Sequence, residues 1–501
     1  MDKPLTQAEL DRLIALEKRI GEIAKEEGLN TVPIDFKIVS ANQVIEGMAY
    51  RFPVNFSHWS FGRDYDRTRT IYEHEYAGIP YEQVWNFDRP EAFLVETNPF
   101  ILQVLVVAHV YGHVDFFLSN RYSQIGRMFS DVALQARNAV GRFRSYEQVY
   151  GIDVERMMDA ALSLEWNQHP EILLDDLDEE SQRESLIKSL RFKLRKADGK
   201  LSPKEVEEIE KQIQVVSVKT PPEPTYDLLG YIAHHSPKPL KPWAQDVLMV
   251  IRDQARALLP NMRTKILNEG WATYWHVRIM RRLFQEGLIT AKEHGSFNDF
   301  NARVTRESKA SLNPYRLGLS LFEDVEDRWN KGRFGPEYEN CKDPRKRLNW
   351  DTKVNLGRQK IFEVRSCFTD RMAIEALFSD DFIHQENLYI YEEKRFDKEV
   401  IYIIVEDDPE IIRQLLKHSH VFYGTPVISV EDGNYDDNGY LYLKHHNTGY
   451  ELDAAYRDRT LEMIYYLWGR RIYLETTLND RALLISYDAN RNKVIDYAYK
   501  K

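Results

Sequence analysis

At 501 residues the chain is too long for one compact core and calls for two or three domains. Hydrophobic residues at 43% and charged residues at 29% are those of an ordinary globular protein, and a net charge of −11 argues against a general binder of nucleic acid or anionic membrane, since both demand a cationic face. Two cysteines, Cys341 and Cys367, make neither a disulfide framework nor a metal-ligand spacing, which points to a reducing, cytoplasmic setting.

The N-terminus, MDKPLTQAEL, is polar and lacks the apolar stretch of a signal peptide. Thr6 to Glu9 reads as a capping box, after which Leu10, Leu13, Leu16, Ile20 and Ile23 recur at helical spacing and Gly28 is placed to stop the helix. The aromatic stretch from Tyr50 to Trp85 has no clean period and is expected to wrap irregularly over the core. The longest apolar run, Phe100 to Leu118, is interrupted by Gln103, His109, His113 and Asp115, so it reads as a helix buried inside protein and not as a membrane span.

Helical character continues to about Pro170. Residues 171–225 are heavily charged, nearly free of aromatics, and end in the turn-rich TPPEP; they read as a solvated helical insertion and linker with no expected role of their own. A second helical region starts at Tyr226, where YIAHHSPKPLKPW (231–243) reads as a rigid loop entering a helix. VIYIIVED (400–407) and GYLYLKHH (439–446) then read as strands, with short helices between and after them. The expected fold class is α+β: a large, predominantly α-helical domain formed by 1–170 and 226–395, and a small C-terminal α+β domain over 396–501.

Chemistry concentrates in two helices. In AHVYGHVDFF (108–117), His109 and His113 share one helical face and make a two-point clamp for a transition metal. Their apolar neighbours favour the neutral imidazole, which is the metal-binding form. In KILNEGWATYWH (265–276), Glu269 is a carboxylate among apolar positions and His276 lies two turns further on. A carboxylate so placed demands a cation, a metal or a strong donor. If the helices pack together, His109, His113 and Glu269 form the two-His-one-Glu set of a catalytic zinc site. The same residues also fit a buried polar network that fixes helix packing, with Lys265 as an ionic partner for Glu269, and they suit non-haem iron as well. Val110 stands where HExxH metallopeptidases carry their general base. Glu96, Asp115, His276 and His235 are the candidates for moving protons, and His234 or His235 for a fourth ligand. No P-loop, dinucleotide fingerprint or nucleophile elbow occurs in the sequence.

Five segments together, FSHWSFGRDYDR (56–67), AHVYGHVDFF (108–117), HHSPKPLKPWAQDVL (234–248), NEGWATYWH (268–276) and NPYRLGLSLFEDVEDRW (313–329), resemble the stage V sporulation protein R (SpoVR) family in order and over most of the chain. The resemblance implies a cytoplasmic bacterial protein linked to spore cortex formation, which is peptidoglycan metabolism, or to stationary-phase stress. It also implies a PrkA-type serine kinase and associated stress-operon proteins as partners. No activity comes with the resemblance. The expectation from residue chemistry is a zinc-dependent amide or peptide hydrolase acting on a peptidoglycan-derived substrate, and the alternative is a non-enzymatic regulatory or scaffold protein working with the kinase.

Overall fold

The structure is a computed structural model describing residues 5–49, 56, 58–73, 82–128, 132–168, 178–196, 201–309, 311–396, 399–419, 425–447, 449–479, 481–488 and 497–498. Local signals near the N-terminus act as written. Thr6 accepts from the Glu9 amide, the Glu9 carboxylate accepts from the Thr6 amide at 2.8 Å, and the helix Gln7–Glu26 follows, with Gly28 at φ +76° just beyond its end. Its Leu13, Leu16, Ile20 and Ile23 are buried, as their spacing requires.

The chain divides into two compact units, 1–133 with 257–421, and 134–256 with 422–501. In the first unit the centre is the helix Phe100–Ser119, apolar on every side and buried from Ile101 to Phe117. It is the one helix among the described residues long and apolar enough to cross a membrane, and 94% of that stretch is buried within the protein. The helices Lys265–Gln285, Pro314–Lys331, Gly357–Cys367 and Gln7–Glu26 supply much of the surrounding core. Beside them lies a three-stranded sheet whose middle strand, Glu91–Val95, runs parallel to Asp35–Val39 and antiparallel to Glu82–Trp85.

Two near-contacts of backbone set the helix spacing. A methyl group built at Gly270 meets Gly318 Cα at 2.3 Å, and one at Gly112 meets Ala272 Cα at 2.6 Å. Only residues without bulk let three helices approach so closely. Across this seam, Asp115 accepts from Arg365 at 2.6 and 2.8 Å, from Trp271 Nε1 at 2.7 Å and from the Asn30 amide at 2.7 Å. Asp370 in turn accepts from the amides of Ile266 and Leu267, satisfying the free N–H groups that begin the helix Lys265–Gln285.

Several sequence expectations need correction. Residues 59–73, read as irregular, form the helix Trp59–Glu73; residues 50–55, 57 and 74–81 of that stretch lie outside the described residues. Its indole, phenol and arginine side chains blur the hydrophobic period without opposing helix. The adjacent histidines 234 and 235 end a helix, Leu228–His235, capped at its start by Asp227, instead of standing in a loop. The strand Glu399–Glu406 pairs with Ile390–Phe396 as a two-stranded ribbon within the first unit. It therefore does not join the C-terminal sheet, and the division falls near 421 where the composition change suggested 396.

The second unit holds that sheet, in the order Tyr497–Ala498, Arg481–Tyr487, Ile472–Leu478, Tyr440–His445, Ile428–Tyr435. The charged segment belongs with it, because Thr225 bridges to Val430 and Thr220 O accepts from the Gly433 amide at 2.7 Å. Its helices Glu179–Lys196 and Pro203–Val218 bury no residue, as expected of solvated helices. The observed class is thus α+β, a largely helical body with a small sheet-containing C-terminal part.

Gly270→Ala and Gly318→Ala should each lower stability by about 1–3 kcal/mol through overpacking. Gly295→Ala is on a helix and meets nothing within 4 Å, so it should be neutral or stabilising by up to ~1 kcal/mol. Urea midpoints of the three variants test this, and equal effects at all three positions would refute the close-approach account.

Candidate metal centre

The close approach of the helices Phe100–Ser119 and Lys265–Gln285 turns His109 and His113 toward Glu269. Glu269 Oε2 lies 3.4 Å from His109 Nε2 and 3.5 Å from His113 Nε2. The strand Glu82–Trp85 brings a second carboxylate, with Glu82 Oε1 at 3.9 Å from His109 Nε2. Glu82, His109 and His113 offer ligand atoms that all lie within 4.8 Å of one another. The imidazoles are 4% and 7% exposed, whereas the Glu269 and Glu82 side chains are 17% and 13% exposed, so the cluster opens on its carboxylate side.

Hydrogen bonds behind the rings fix their tautomers. His113 Nδ1 lies 2.9 Å from Asn268 Oδ1, and His276 Nε2 lies 2.9 Å from Asn301 Oδ1. With both amide oxygens assigned as acceptors, each of those ring nitrogens carries the proton. Burial pushes His276 down to about 3 and His113 down to about 4, with the neighbouring His109 adding to both, so both rings are neutral at pH 7. A neutral His276 then accepts through Nδ1, which makes His109 Nδ1 the donor in their 2.9 Å contact. Two chains result, Asn301–His276–His109 and Asn268–His113, and they bring His109 Nε2 and the unprotonated His113 Nε2 to the same point.

Two polar atoms at that point are left unpaired. His109 Nε2 and Glu269 Oε2 are both buried without a hydrogen-bond partner. The unprotonated His113 Nε2 faces a carboxylate oxygen across 3.5 Å, and their lone pairs repel one another unless a cation lies between them. Donors each about 2.1 Å from a tetrahedral ion stand roughly 3.4 Å apart, so the observed spacing fits such an ion. Burial acts to raise the Glu269 pKa, yet the contact with His109, with Lys265 adding to it, outweighs burial and holds the carboxylate below its ordinary value. Glu82 behaves oppositely: burial, with Glu269 nearby, pushes it up to about 7 against the pull of His109.

His109, His113 and Glu269 are therefore brought together as their spacing suggested. His276 joins them from behind, with both ring nitrogens engaged, so it positions His109 and has no free nitrogen for moving a substrate proton. Asp115 is held by Arg365 and Trp271. Glu96 follows the strand Glu91–Val95, its amide donating to Val39 O, and among the described residues no contact joins it to the histidines. His235 belongs to the second unit, where its Nε2 lies 2.9 Å from Glu179 Oε1 and its ring stacks on Tyr231. His234 Nδ1 lies 2.8 Å from Gly230 O in the same helix. Sequence reasoning missed Glu82, Asn268 and Asn301. Asn268 was detectable as the amide beginning the NEGWAT segment, whereas Glu82 carries no periodic signal in its four-residue strand.

Comparison with known proteins covers both parts of the chain. The family described as SpoVR like protein matches residues 7–424, which include every residue of the centre, and the one described as SpoVR-like C-terminal domain matches 426–479. A protein of Escherichia coli (strain K12) named Uncharacterized protein YcgB is 28% identical over 321 residues. That likeness covers 61% of this chain and 62% of the relative, less than two thirds of its length. No solved structure matches.

The depressed histidines make metal-free stability depend on pH. An unfolded histidine takes up a proton below about 6.5, whereas His276 resists until about 3, so acid favours the unfolded state over that window. His276→Gln keeps an acceptor for His109 and a donor for Asn301 but cannot titrate. Between pH 6.5 and 4 its unfolding free energy should fall less steeply than the wild type's, by up to one proton or about 1.4 kcal/mol per pH unit. Parallel curves from denaturant titrations at several pH values would show that His276 is not held neutral.

Proposed function

The chain belongs to the SpoVR-like protein family, and on that footing we propose that it is a metal-dependent hydrolase of peptide or amide bonds. In this reading His109 Nε2, His113 Nε2 and the Glu269 carboxylate hold a zinc ion. The observation that carries it is the convergence of two buried imidazole nitrogens on a buried carboxylate oxygen that has no hydrogen-bond partner. When bound, the ion lowers the pKa of a coordinated water to about 7. Glu82 takes the general-base role that Val110 leaves vacant, because its carboxylate lies 3.9 Å from His109 Nε2 and so beside the ion. Asn268, His276 and Asn301 hold the two ligand rings in the binding tautomer. A cytoplasmic setting and a peptidoglycan-derived substrate go with the family resemblance.

Elemental analysis of purified wild type should give stoichiometric metal, retained by Glu82→Gln and lost from the His109→Ala/His113→Ala double variant. Glu82→Gln should reduce amide hydrolysis by about 10²–10⁴-fold while keeping its metal. A folded wild type that takes up no metal, even with zinc added, would sink the hydrolase reading. It would favour the alternative, in which these residues only fix helix packing in a regulatory partner of a PrkA-type kinase.

A further inference from the structure

The strand that carries Glu82 lies at the rim of its sheet, and the orientation of its backbone can be worked out from its neighbours. The order is Asp35–Val39, Glu91–Val95, Glu82–Trp85, so among the described residues no strand lies beyond Glu82–Trp85. In the middle strand, the even-numbered flanks face Asp35–Val39: Pro90 O accepts from the Asp35 amide at 2.9 Å and the Glu96 amide donates to Val39 O at 2.8 Å. Val95 O, of odd number, faces the other way and accepts from Gln103 Nε2 at 2.8 Å. Successive residues of a strand present their backbone groups to opposite edges. Glu91 and Phe93 therefore face the rim strand, where their partners are Trp85 and Gln83. The backbone N–H and C=O groups of Glu82 and Val84 consequently point outward, away from the sheet.

We infer that this open edge binds the substrate as an extended polypeptide of L-residues, pairing with the backbone of Glu82 and Val84 so that its amide bonds pass the centre. The inference rests on the hydrolase reading and departs from the peptidoglycan-derived substrate that the family resemblance implies. A strand paired at this edge lies about 4.8 Å from Glu82–Trp85. The same short strand sends the Glu82 side chain to within 3.9 Å of His109. Recognition through main-chain groups ties the site to a peptide and not to a glycan, and it makes register, not side-chain identity, the first source of affinity. D-residues, which cell-wall peptides contain, prefer the mirror-image φ and interrupt such pairing. The expected class is thus a segment of protein chain.

Three hydroxamates bound to the zinc-loaded full chain test this by calorimetry: acetyl-(L-Ala)5-hydroxamate, its all-D enantiomer, and the L-peptide N-methylated at alternate residues. Acetohydroxamate measures the metal anchor alone. The L-peptide should bind about tenfold more tightly than either analogue, as expected for two backbone hydrogen bonds. Val84→Pro removes the outward N–H and should abolish that preference without changing acetohydroxamate affinity. Equal binding of the three peptides to wild type would overturn the edge assignment while leaving the metal reading standing. Failure of acetohydroxamate and of zinc itself to bind would remove the hydrolase reading, and the edge assignment with it.

Discussion

The candidate centre depends on how closely three helices approach. Gly270 faces Gly318 and Gly112 faces Ala272, with no room for a further methyl group at either glycine. That approach puts the His109–His113 face of one helix within ligand distance of Glu269 on another. A wider spacing would leave the same residues separated and hydrated. The Asn268–Thr273 segment therefore has two duties: Gly270 and Ala272 are its spacers, and Asn268 and Glu269 are its polar working parts.

Electrostatics follow from that packing. The helix Phe100–Ser119 has no polar face, so its histidines enter a medium in which the charged form is penalised. Neutral rings acquire defined tautomers only through the groups behind them, and Asn268, His276 and Asn301 provide these. Asp115, on the same helix, shows the opposite solution. Arg365, Trp271 and the Asn30 amide together satisfy it, and it serves as a structural tie between helices. Two acidic groups among the same helices thus end in different roles, because one is surrounded by donors and the other, Glu269, faces two imidazole nitrogens.

The sheet beside the helices is small but it completes the centre. Glu82 reaches the histidines from a four-residue strand whose outward backbone groups pair with no strand among the described residues. A carboxyl with its pKa raised to about 7, an ionised carboxylate and the neutral His113 imidazole are different protonation states within a few ångströms of one another. This separation of acid strengths comes from unequal neighbours. Glu269 has both imidazoles close by, whereas Glu82 is buried near another carboxylate and lies further from His109.

The helical start at Thr6, the buried helix carrying His109 and His113, and the unusual carboxylate in NEGWATYWH were all legible in the sequence, because each depends on residues within a few turns of one another. Periodicity and capping are local properties, and burial of an all-apolar helix follows from composition. The irregular reading of 59–73 and the loop reading of 231–235 failed where local composition was ambiguous and packing chose helix, whereas 236–241 do form a loop entering the helix Pro242–Arg263. The pairing of Glu399–Glu406 with Ile390–Phe396, the arrival of Glu82 and the placing of His235 beside Glu179 were decided only in three dimensions. A strand names its partner through hydrogen bonds, and a ligand set closes through space, so neither leaves a spacing in the sequence. The chain by itself determined which residues are capable of holding a metal. The tertiary structure decided which of them meet, and which proton each one carries.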